Sequence, residues 1–582
     1  MPRDKPRSSV PRRARLSTIC FATAVLLTWS GCNRLGYRPT PVVTGASGMV
    51  VSEHPLASSV GEQILRAGGN ATDAAIAVQF ALAVVCPRAG NLGGGGFWVY
   101  APSGDRVRAL DYREEAPSAA SRDMYLGDDG EVVEGLSTQG PLAAGIPGQV
   151  DGLYTAFTFG SALEDWSALL QPAVRLAREG YRITEAEAER LNRYADVFRE
   201  VNDFDFPFVQ AEAWRRGDRL VQPQLAATLE RIAEEGPAYF YDGAFAASLA
   251  QEVRERGGIW TAGDLSDYQS TWREPIEIDF SGYTVYSMPP PSSGGVVLAQ
   301  MLTMLEPYDL RGLAGSDSAA YYHLLIETMR RAYADRAEYL GDPDVVDIPI
   351  DSLLAPAYLA DKMASFDPLQ ATPSGRDLQA AGKEVYETTH TSVVDAAGNA
   401  VSVTTTLNGN YGSKVFSRVG GFFLNNEMDD FSAKPGVPNM FGLVGGEANA
   451  IAPGKRMLSS MTPTVVQRDG RNELVLGSPG GSTIITAVLQ TFLGTTIHDM
   501  SLPAAVEQAR MHHQWLPDQV VYERGGFSTA LLDSLRALGH ELRDAESLGR
   551  VKAIARQRNT YIGVGDPRSP DDDASGYDGV NQ

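Results

Sequence analysis

The sequence predicts a large, layered α/β body, and three observations carry that reading. The chain has 582 residues, 43% of them hydrophobic, with 59 Gly and 34 Pro. That is too long for one ordinary core and too apolar for disorder, so two domains or one large body are expected. Between residues 163 and 258 apolar side chains recur at three- and four-residue spacing, as in Leu225, Leu229, Ile232 and Ala233, which predicts a helical layer. After residue 388 the period becomes two: 392–395, 400–407, 464–466 and 474–476 read as short strands, so the second half is expected to be richer in sheet than the first.

The segments are justified in chain order. Residues 1–31 have the form of an export signal: basic residues ending in Arg12, Arg13 and Arg15, an apolar run over 18–29, then Ser30 and Gly31 before Cys32. The apolar run is short for a bilayer span, which favours a cleaved signal and an exported, periplasmic or extracellular protein. Ser30-Gly31-Cys32 also resembles a bacterial lipoprotein processing box that would leave Cys32 lipidated, although Trp29 stands where Leu is usual. Both readings stay open. Residues 32–45 read as a polar linker.

Two Ala-rich helical runs over 57–85 follow, split by Gly68-Gly69-Asn70, and the second is apolar nearly all round, as a buried helix is. The run Gly93-Gly94-Gly95-Gly96 lacks the Gly-Lys-Ser/Thr ending of a phosphate loop and predicts close backbone packing. Pro289-Pro290-Pro291 marks a rigid turn, and a long helix is expected from a cap near Ser316 to a stop at Gly341-Asp342-Pro343. Residues 366–387 lose periodicity and turn polar, which predicts an exposed, mobile segment.

Charge and cysteine content exclude several functions. Net charge is −22, and residues 1–31 hold six basic residues against one acidic, so the remainder is more acidic still. Nucleic acid is a poor partner for such a surface. Of three cysteines, Cys20 and Cys32 belong to or border the signal, which leaves Cys86 at the end of an apolar stretch as a small buried residue and rules out a disulfide framework.

The chemistry gathers around Thr388. Ala396-Ala397-Gly398 fits a three-residue hairpin loop whose last position needs positive φ. That register pairs Asp395 with Asn399 and sets Thr388 opposite Thr406, with cross-strand Cβ atoms about 5 Å apart. Alternation puts Ser402, Thr404, Thr406 and Asn408 on one face and Val401, Val403, Thr405 and Leu407 on the other. Taken alone, such a hairpin says only that Thr is a good strand former.

A set of motifs says more. Thr388-Thr389-His390-Thr391-Ser392-Val393-Val394-Asp395 resembles the new N-terminus of the small subunit in γ-glutamyltransferases. Asn425-Asn426-Glu427-Met428-Asp429-Asp430-Phe431, Leu458-Ser459-Ser460-Met461, Gly477-Ser478-Pro479-Gly480-Gly481 and Asp566-Pro567-Arg568 follow in family order, with the glycine run, Asp111-Tyr112-Arg113-Glu114 and the Pro-rich turn upstream. The resemblance covers residues 45–577. It implies a four-layer αββα N-terminal nucleophile hydrolase fold, processed between Glu387 and Thr388 into a large subunit (46–387) and a small subunit (388–582) that form a heterodimer.

It also implies roles. Thr388 would be the nucleophile, its freed α-amine the general base, with a reference pKa near 8 suited to neutral pH. Thr406 would orient the Thr388 hydroxyl, and Asn408 would bond within the substrate pocket. Arg113 with Ser459 and Ser460 would hold the substrate α-carboxylate, Glu427 and Asp430 its α-ammonium, and the backbone N–H groups of Gly480 and Gly481 the oxyanion. Outside the resemblance, Glu427 and Asp430 are an ordinary acidic pair and Arg113 an ordinary ion-pair partner. No metal or organic cofactor is implied. His512-His513 lacks further ligand spacing, and His390 is out of reach of the nucleophile by strand period.

The expected donors are glutathione-like γ-glutamyl compounds, and the acceptors amino acids, peptides or water. Residues 435–446 resemble the lid loop of bacterial members, with Phe441 where a Tyr is frequent; Phe cannot make that hydrogen bond, which puts lid closure and acceptor balance in question. Three rivals remain: a cephalosporin or glutaryl acylase of the same fold, a capsule poly-γ-glutamate transpeptidase, and a non-catalytic γ-glutamyl-binding surface lipoprotein. The zwitterion-matching set of Arg113, Glu427, Asp430, Ser459 and Ser460 favours a free α-amino acid head over a dicarboxylic acyl group.

Overall fold

The structure, a computed structural model, describes Met1, residues 42–375 and residues 388–578. The expected signal beyond Met1, Cys20, Cys32 and Glu387 lie outside the described residues. The chain divides into Met1–Pro39 and Thr40–Gln582, and the second unit is the body described below.

Two seven-stranded sheets dominate it. The first runs in the order Asp573–Tyr577, Gly48–Ser52, Thr388–Val394, Ala400–Thr406, Gly95–Ala101, Arg108–Tyr112 and Thr271–Arg273. The second runs Val42–Gly45, Thr560–Val564, Lys552–Gln557, Arg471–Gly477, Thr464–Arg468, Tyr283–Ser287 and Ile276–Phe280. All these pairings are antiparallel.

The layering follows from side-chain alternation. Met49, Val51, Val99 and Val394 of the first sheet pack against Val465, Val475 and Ile554 of the second. The opposite face of the first sheet, through Val393, Val401 and Val403, packs on the helix Ala71–Val85. The far face of the second sheet, through Ile278, Val285, Leu474 and Leu476, packs on the helices Gly294–Leu305, Ser318–Tyr339 and Ile484–Thr496. The order is helix, sheet, sheet, helix, the expected four layers.

The helix Ala71–Val85 is buried along its whole length, as its all-round apolar sequence predicts. Asn70 and Asp73 close a capping box at its start. At about 1.5–3 kcal/mol per fully buried large apolar side chain, Ile76, Val78, Phe80 and Leu82 make it a main anchor of the first sheet. The long helix is Ser318–Tyr339, capped by Asp317.

The part after residue 388 is the richer in strand, as expected, while half of the fourteen strands come from before residue 375 and both sheets draw on both parts. Two expectations change. Val42–Gly45, at the end of the expected linker, is a strand paired with Thr560–Val564. In the polar segment after residue 366, residues 371–374 are tethered. Ala371 N–H donates to Leu538 O (2.7 Å), Thr372 N–H to Glu327 (3.1 Å), Ser374 N–H to Asp518 (2.7 Å), and Arg330 to Ser374 Oγ (2.6 Å). The part at 376–387 lies outside the described residues.

Candidate active site

The site is built on the hairpin of Thr388–Val394 and Ala400–Thr406. Asp395 N–H donates to Asn399 O (3.1 Å), and Gly398 takes φ 83° in the loop. The Asp395 carboxylate fixes the turn through the N–H groups of Ala397 and Asn399, and it accepts Ala71 N–H at the start of the buried helix. The resulting register sets Thr388 opposite Thr406.

The polar face of this hairpin lies between the sheets. Ser402 Oγ donates to Leu476 O (3.0 Å) and accepts Thr464 N–H (3.0 Å), which ties the sheets together. His390 sits on Gly477 and shares hydrogen bonds with Thr404 Oγ1 (2.8 Å) and Ser392 Oγ (3.1 Å). Burial holds its imidazole well below the ordinary histidine range. At the end of this face Thr388 and Thr406 open into a cleft of about 310 Å³, lined also by Arg113, Arg336, Asn408, Glu427, Asp430, Phe441, Ser459, Ser460 and Gly481.

The glycine run explains how Thr406 is held. A Cβ on Gly94 would overlap Thr406 O, and one on Gly96 would stand 2.5 Å from Thr404 O. Only glycine admits this approach between strands. Asn91 Nδ2–H donates to Thr406 O (2.8 Å), and Asn408 N–H to Thr406 Oγ1 (2.7 Å). Asn408, at φ 70°, is held in turn by Nδ2–H donating to Asn426 O (3.0 Å).

The charged groups meet one another. Arg113 Nη1 bonds Glu427 Oε2 and its Nη2 bonds Asp430 Oδ2, each at 2.6 Å, while Nε–H donates to Met457 O (3.2 Å). Burial opposes the Arg113 charge, but Glu427, Glu114 and Asp430 outweigh it and raise the guanidinium above its ordinary range. Burial likewise pushes Glu427 well above, and Asp430 above, ordinary carboxylate values, with Arg113 acting against it in both. Arg113 is thus the partner of the two acids, a pairing the separate roles expected from sequence did not include.

Ser459 and Ser460 line the same cleft. Gly480 and Gly481 lead into the helix Ile484–Thr496, at φ 145° and 54°, conformations that favour glycine. Gly481 lines the cleft, and its N–H lies at a helix start, where the dipole favours negative charge. A Cβ there would stand 2.6 Å from the Phe441 ring, so that ring and the glycine turn are in contact. Residues 439–441 are tied in place: Met440 N–H donates to Asp429 (3.0 Å), Asn439 Nδ2–H to Asp430 (3.2 Å), and Gln514 Nε2–H to Phe441 O (3.3 Å).

Sequence reasoning missed Arg336, Asn439 and Gln514, which carry no motif signal by themselves. It also missed the meeting of His323, Glu327 and His540. There the two imidazoles share a hydrogen bond (2.7 Å), and the Glu327 oxygens are taken by Arg330, Arg331 and Thr372 N–H, while His540 Nδ1 is buried without a hydrogen-bond partner. His512 and His513 face different partners, Thr486 and Gln514 for the first and Asp518 for the second. Cys86 is buried, and burial pushes its thiol up to about 11.

Known proteins resemble this chain over most of its length. The chain is 45% identical to a glutathione hydrolase proenzyme of Escherichia coli K12 over 96% of this chain and 98% of that one. The crystal structure of cephalosporin acylase from Bacillus halodurans superposes with a TM-score of 0.81 at 25% identity, covering 93% of this chain and 97% of that one. That of Helicobacter pylori gamma-glutamyltranspeptidase has a TM-score of 0.53 at 41% identity over 56% of this chain and 93% of that one. The gamma-glutamyltranspeptidase family profile matches residues 57–576. With the four layers and the ordered motifs around Thr388, this match shows that the chain belongs to the gamma-glutamyltranspeptidase family.

Proposed function

We propose that the chain is a precursor that cuts itself between Glu387 and Thr388 and then acts as a γ-glutamyltransferase and glutathione hydrolase. The observation that carries this is the cleft in which Thr388 lies with Thr406, Arg113, Glu427, Asp430, Ser459 and Ser460. A hydroxyl nucleophile shares one cavity there with groups of both signs, as a zwitterionic γ-glutamyl head requires. The E. coli relative's description as a glutathione hydrolase proenzyme supports both halves of the reading.

In processing, the Thr388 hydroxyl attacks the Glu387 carbonyl; the peptide C–N bond breaks as the ester forms, and water hydrolyses the ester to a Glu387 carboxylate and a free Thr388 amine. In turnover that amine takes the hydroxyl proton, oriented by Thr406, while the oxygen attacks the donor γ-carbonyl. Gly480 and Gly481 N–H groups stabilise the oxyanion, and Asn408 adds hydrogen bonds in the pocket. The proton passes to the leaving amine, and the Thr388 acyl ester is then taken by water, an amino acid or a peptide. Large subunit 46–387 and small subunit 388–582 stay together, since both sheets draw strands from each.

Export by the N-terminal segment belongs to the same proposal, with a periplasmic or extracellular location and either a cleaved signal or an anchor on Cys32. Among the described residues no helix is long and apolar enough to cross a membrane. An acylase reading has the Bacillus halodurans fold in its favour, but the Glu427–Arg113–Asp430 cluster offers an ammonium acceptor that a dicarboxylic acyl group does not need.

The test is to incubate the mature protein and Thr388→Ala at neutral pH and to measure subunit masses and γ-glutamyl anilide hydrolysis. Two fragments meeting at Glu387/Thr388 with turnover, both lost in the variant, are expected. An intact, inactive wild-type chain would overturn the reading.

A further inference from the structure

Self-cleavage changes what Thr388 is. In the uncut chain it is bonded to residues on both sides; after the cut it is a chain end, and that end carries the nucleophile. Chain ends fray unless strands or side chains tie them down. The strand Thr388–Val394 pairs along its whole length with Ala400–Thr406 on one side. On the other side its pairing with Gly48–Ser52 begins only at Ser392, opposite Val51. Among the described residues, 388–391 therefore have a strand partner on one side alone.

Side chains hold most of this stretch. Gln79 Nε2–H, from the helix Ala71–Val85, donates to Thr391 Oγ1 (3.0 Å), and His390 Nδ1 bonds Thr404 Oγ1 (2.8 Å). Thr389 differs: it is buried, and its Oγ1 has no hydrogen-bond partner. Alternation puts Thr389 and Thr391 on the helix-facing side of the strand, behind Thr388 and away from the cleft.

Glu53, just after the strand Gly48–Ser52, has the complementary atom. Its Oε1 takes the neighbouring positive charge: Arg88 Nη2 bonds it, Arg550 Nη1 lies at 3.4 Å and Lys552 Nζ at 3.7 Å. Its Oε2 is buried with no hydrogen-bond partner. Burial raises the Glu53 carboxyl, but Arg88, Lys552, Arg550 and the Thr389 hydroxyl outweigh it and hold the group well below the ordinary carboxylate range. An ionised carboxylate with one oxygen unmet thus neighbours a hydroxyl with no acceptor, and both are costly to leave so in an interior.

We propose that Glu53 is a positioning residue for the nucleophile: in the processed protein its Oε2 accepts the Thr389 O–H and pins the new chain end, so that Thr388 keeps its place opposite Thr406. This rests on the self-cleavage reading above. Before the cut the peptide bond to residue 387 restrains Thr388, so the clasp serves turnover and not processing. A reacting atom displaced by about 1 Å loses about a hundredfold in rate, so even partial fraying is felt in kcat.

The experiment compares wild type, Thr389→Val and Thr389→Ser. Valine keeps the shape and branching and removes the hydroxyl, which serine retains. Timed subunit masses give the processing rate, and γ-glutamyl anilide hydrolysis by fully processed protein gives kcat and KM. Amide hydrogen exchange over 389–394 reports fraying, and it is measured again in the uncut Thr388→Ala background. Thr389→Val should process within about twofold of wild type, then lose about tenfold in kcat with KM nearly unchanged. Its exchange should be about tenfold faster than wild type once processed, and equal to its parent in the uncut background. Thr389→Ser should recover most of the loss. Where Glu53→Ala folds and processes, adding Thr389→Val should change kcat by less than about twofold, because the bond is already gone; independent, multiplying losses overturn the proposal. Where Thr389→Val does not fold, Thr389→Ala carries the same comparison. Unchanged kcat, unchanged exchange after processing, or an equal rise in exchange before and after the cut overturns the clasp. Wild type that stays intact overturns the self-cleavage reading itself, which keeps the two failures apart.

Discussion

Thr406→Val isolates the hydrogen bonds behind the nucleophile, because valine keeps the shape and β-branching of threonine in a buried strand. Two things are lost. Thr406 Oγ1 accepts Asn408 N–H at 2.7 Å, and both residues are buried, so valine leaves that N–H without its acceptor. An orphaned buried donor costs about 1–3 kcal/mol. The second loss is the hydroxyl that stands across the strand pair from Thr388, and a hydrogen bond has a net value of about 0.5–1.5 kcal/mol. The first loss acts on stability. With an unfolding entropy of about 2.1 cal/mol/K per residue, it lowers the thermal midpoint of a body this large by only ~1–3 °C. The second acts on the hydroxyl during attack, and with Asn408 displaced as well the combined effect on kcat should be about tenfold to a hundredfold. Subunit masses at timed intervals give the processing rate, anilide hydrolysis on fully processed protein gives kcat, and thermal unfolding gives the midpoint. Thr406→Ser, which keeps the oxygen, should stay within a few-fold of wild type. A Thr406→Val protein that matures and turns over within twofold of wild type would refute the assignment of Thr406 as the group that orients Thr388.

Other substitutions probe the frame around the site. Gly94→Ala should lower both midpoint and turnover, since its Cβ meets Thr406 O and lies 2.8 Å from Asn91 Oδ1. Gly94 cannot retreat, because its carbonyl accepts the N–H groups of Gly148 and Gln149 at 3.0 Å. Overpacking of this kind costs about 1–3 kcal/mol, whereas Gly315→Ala, in open space, should leave turnover unchanged; equal effects would refute the close-approach argument. Glu187 tests linkage away from the site. Burial pushes it up to about 7, against Arg190 and the Tyr181 hydroxyl. Its folded value lies above the unfolded one of about 4.3, so the unfolded chain releases the proton first and stability falls as pH rises through the window between them. Glu187→Gln should therefore have a higher unfolding midpoint than wild type at pH 8 and an equal one near pH 4, and a difference independent of pH would contradict this.

Local features of this chain were legible in its sequence because they depend on short stretches. Gly398 in a three-residue loop determined the register that sets Thr388 opposite Thr406, since side chains alternate with period two and a loop of given length leaves no freedom to slip. The helix Ala71–Val85 was legible from its all-round apolar surface, and the glycine run from its lack of Cβ atoms, although which strand it approaches was not. Tertiary structure alone decided what depends on two distant segments meeting. Strands from both parts of the chain interleave in both sheets, an order that no short stretch specifies. Residues 371–374 look like free polar chain until Glu327, Arg330, Asp518 and Leu538 supply partners for their backbone and side chains. Charge balance is the clearest case. Arg113, on one side, and Glu427 with Asp430, on the other, read as separate roles in sequence, and Arg336 carried no motif signal. Whether a buried charge is compensated is a property of the atoms within a few ångströms of it, and only the assembled cleft brings the first three together while leaving the fourth with hydroxyls alone.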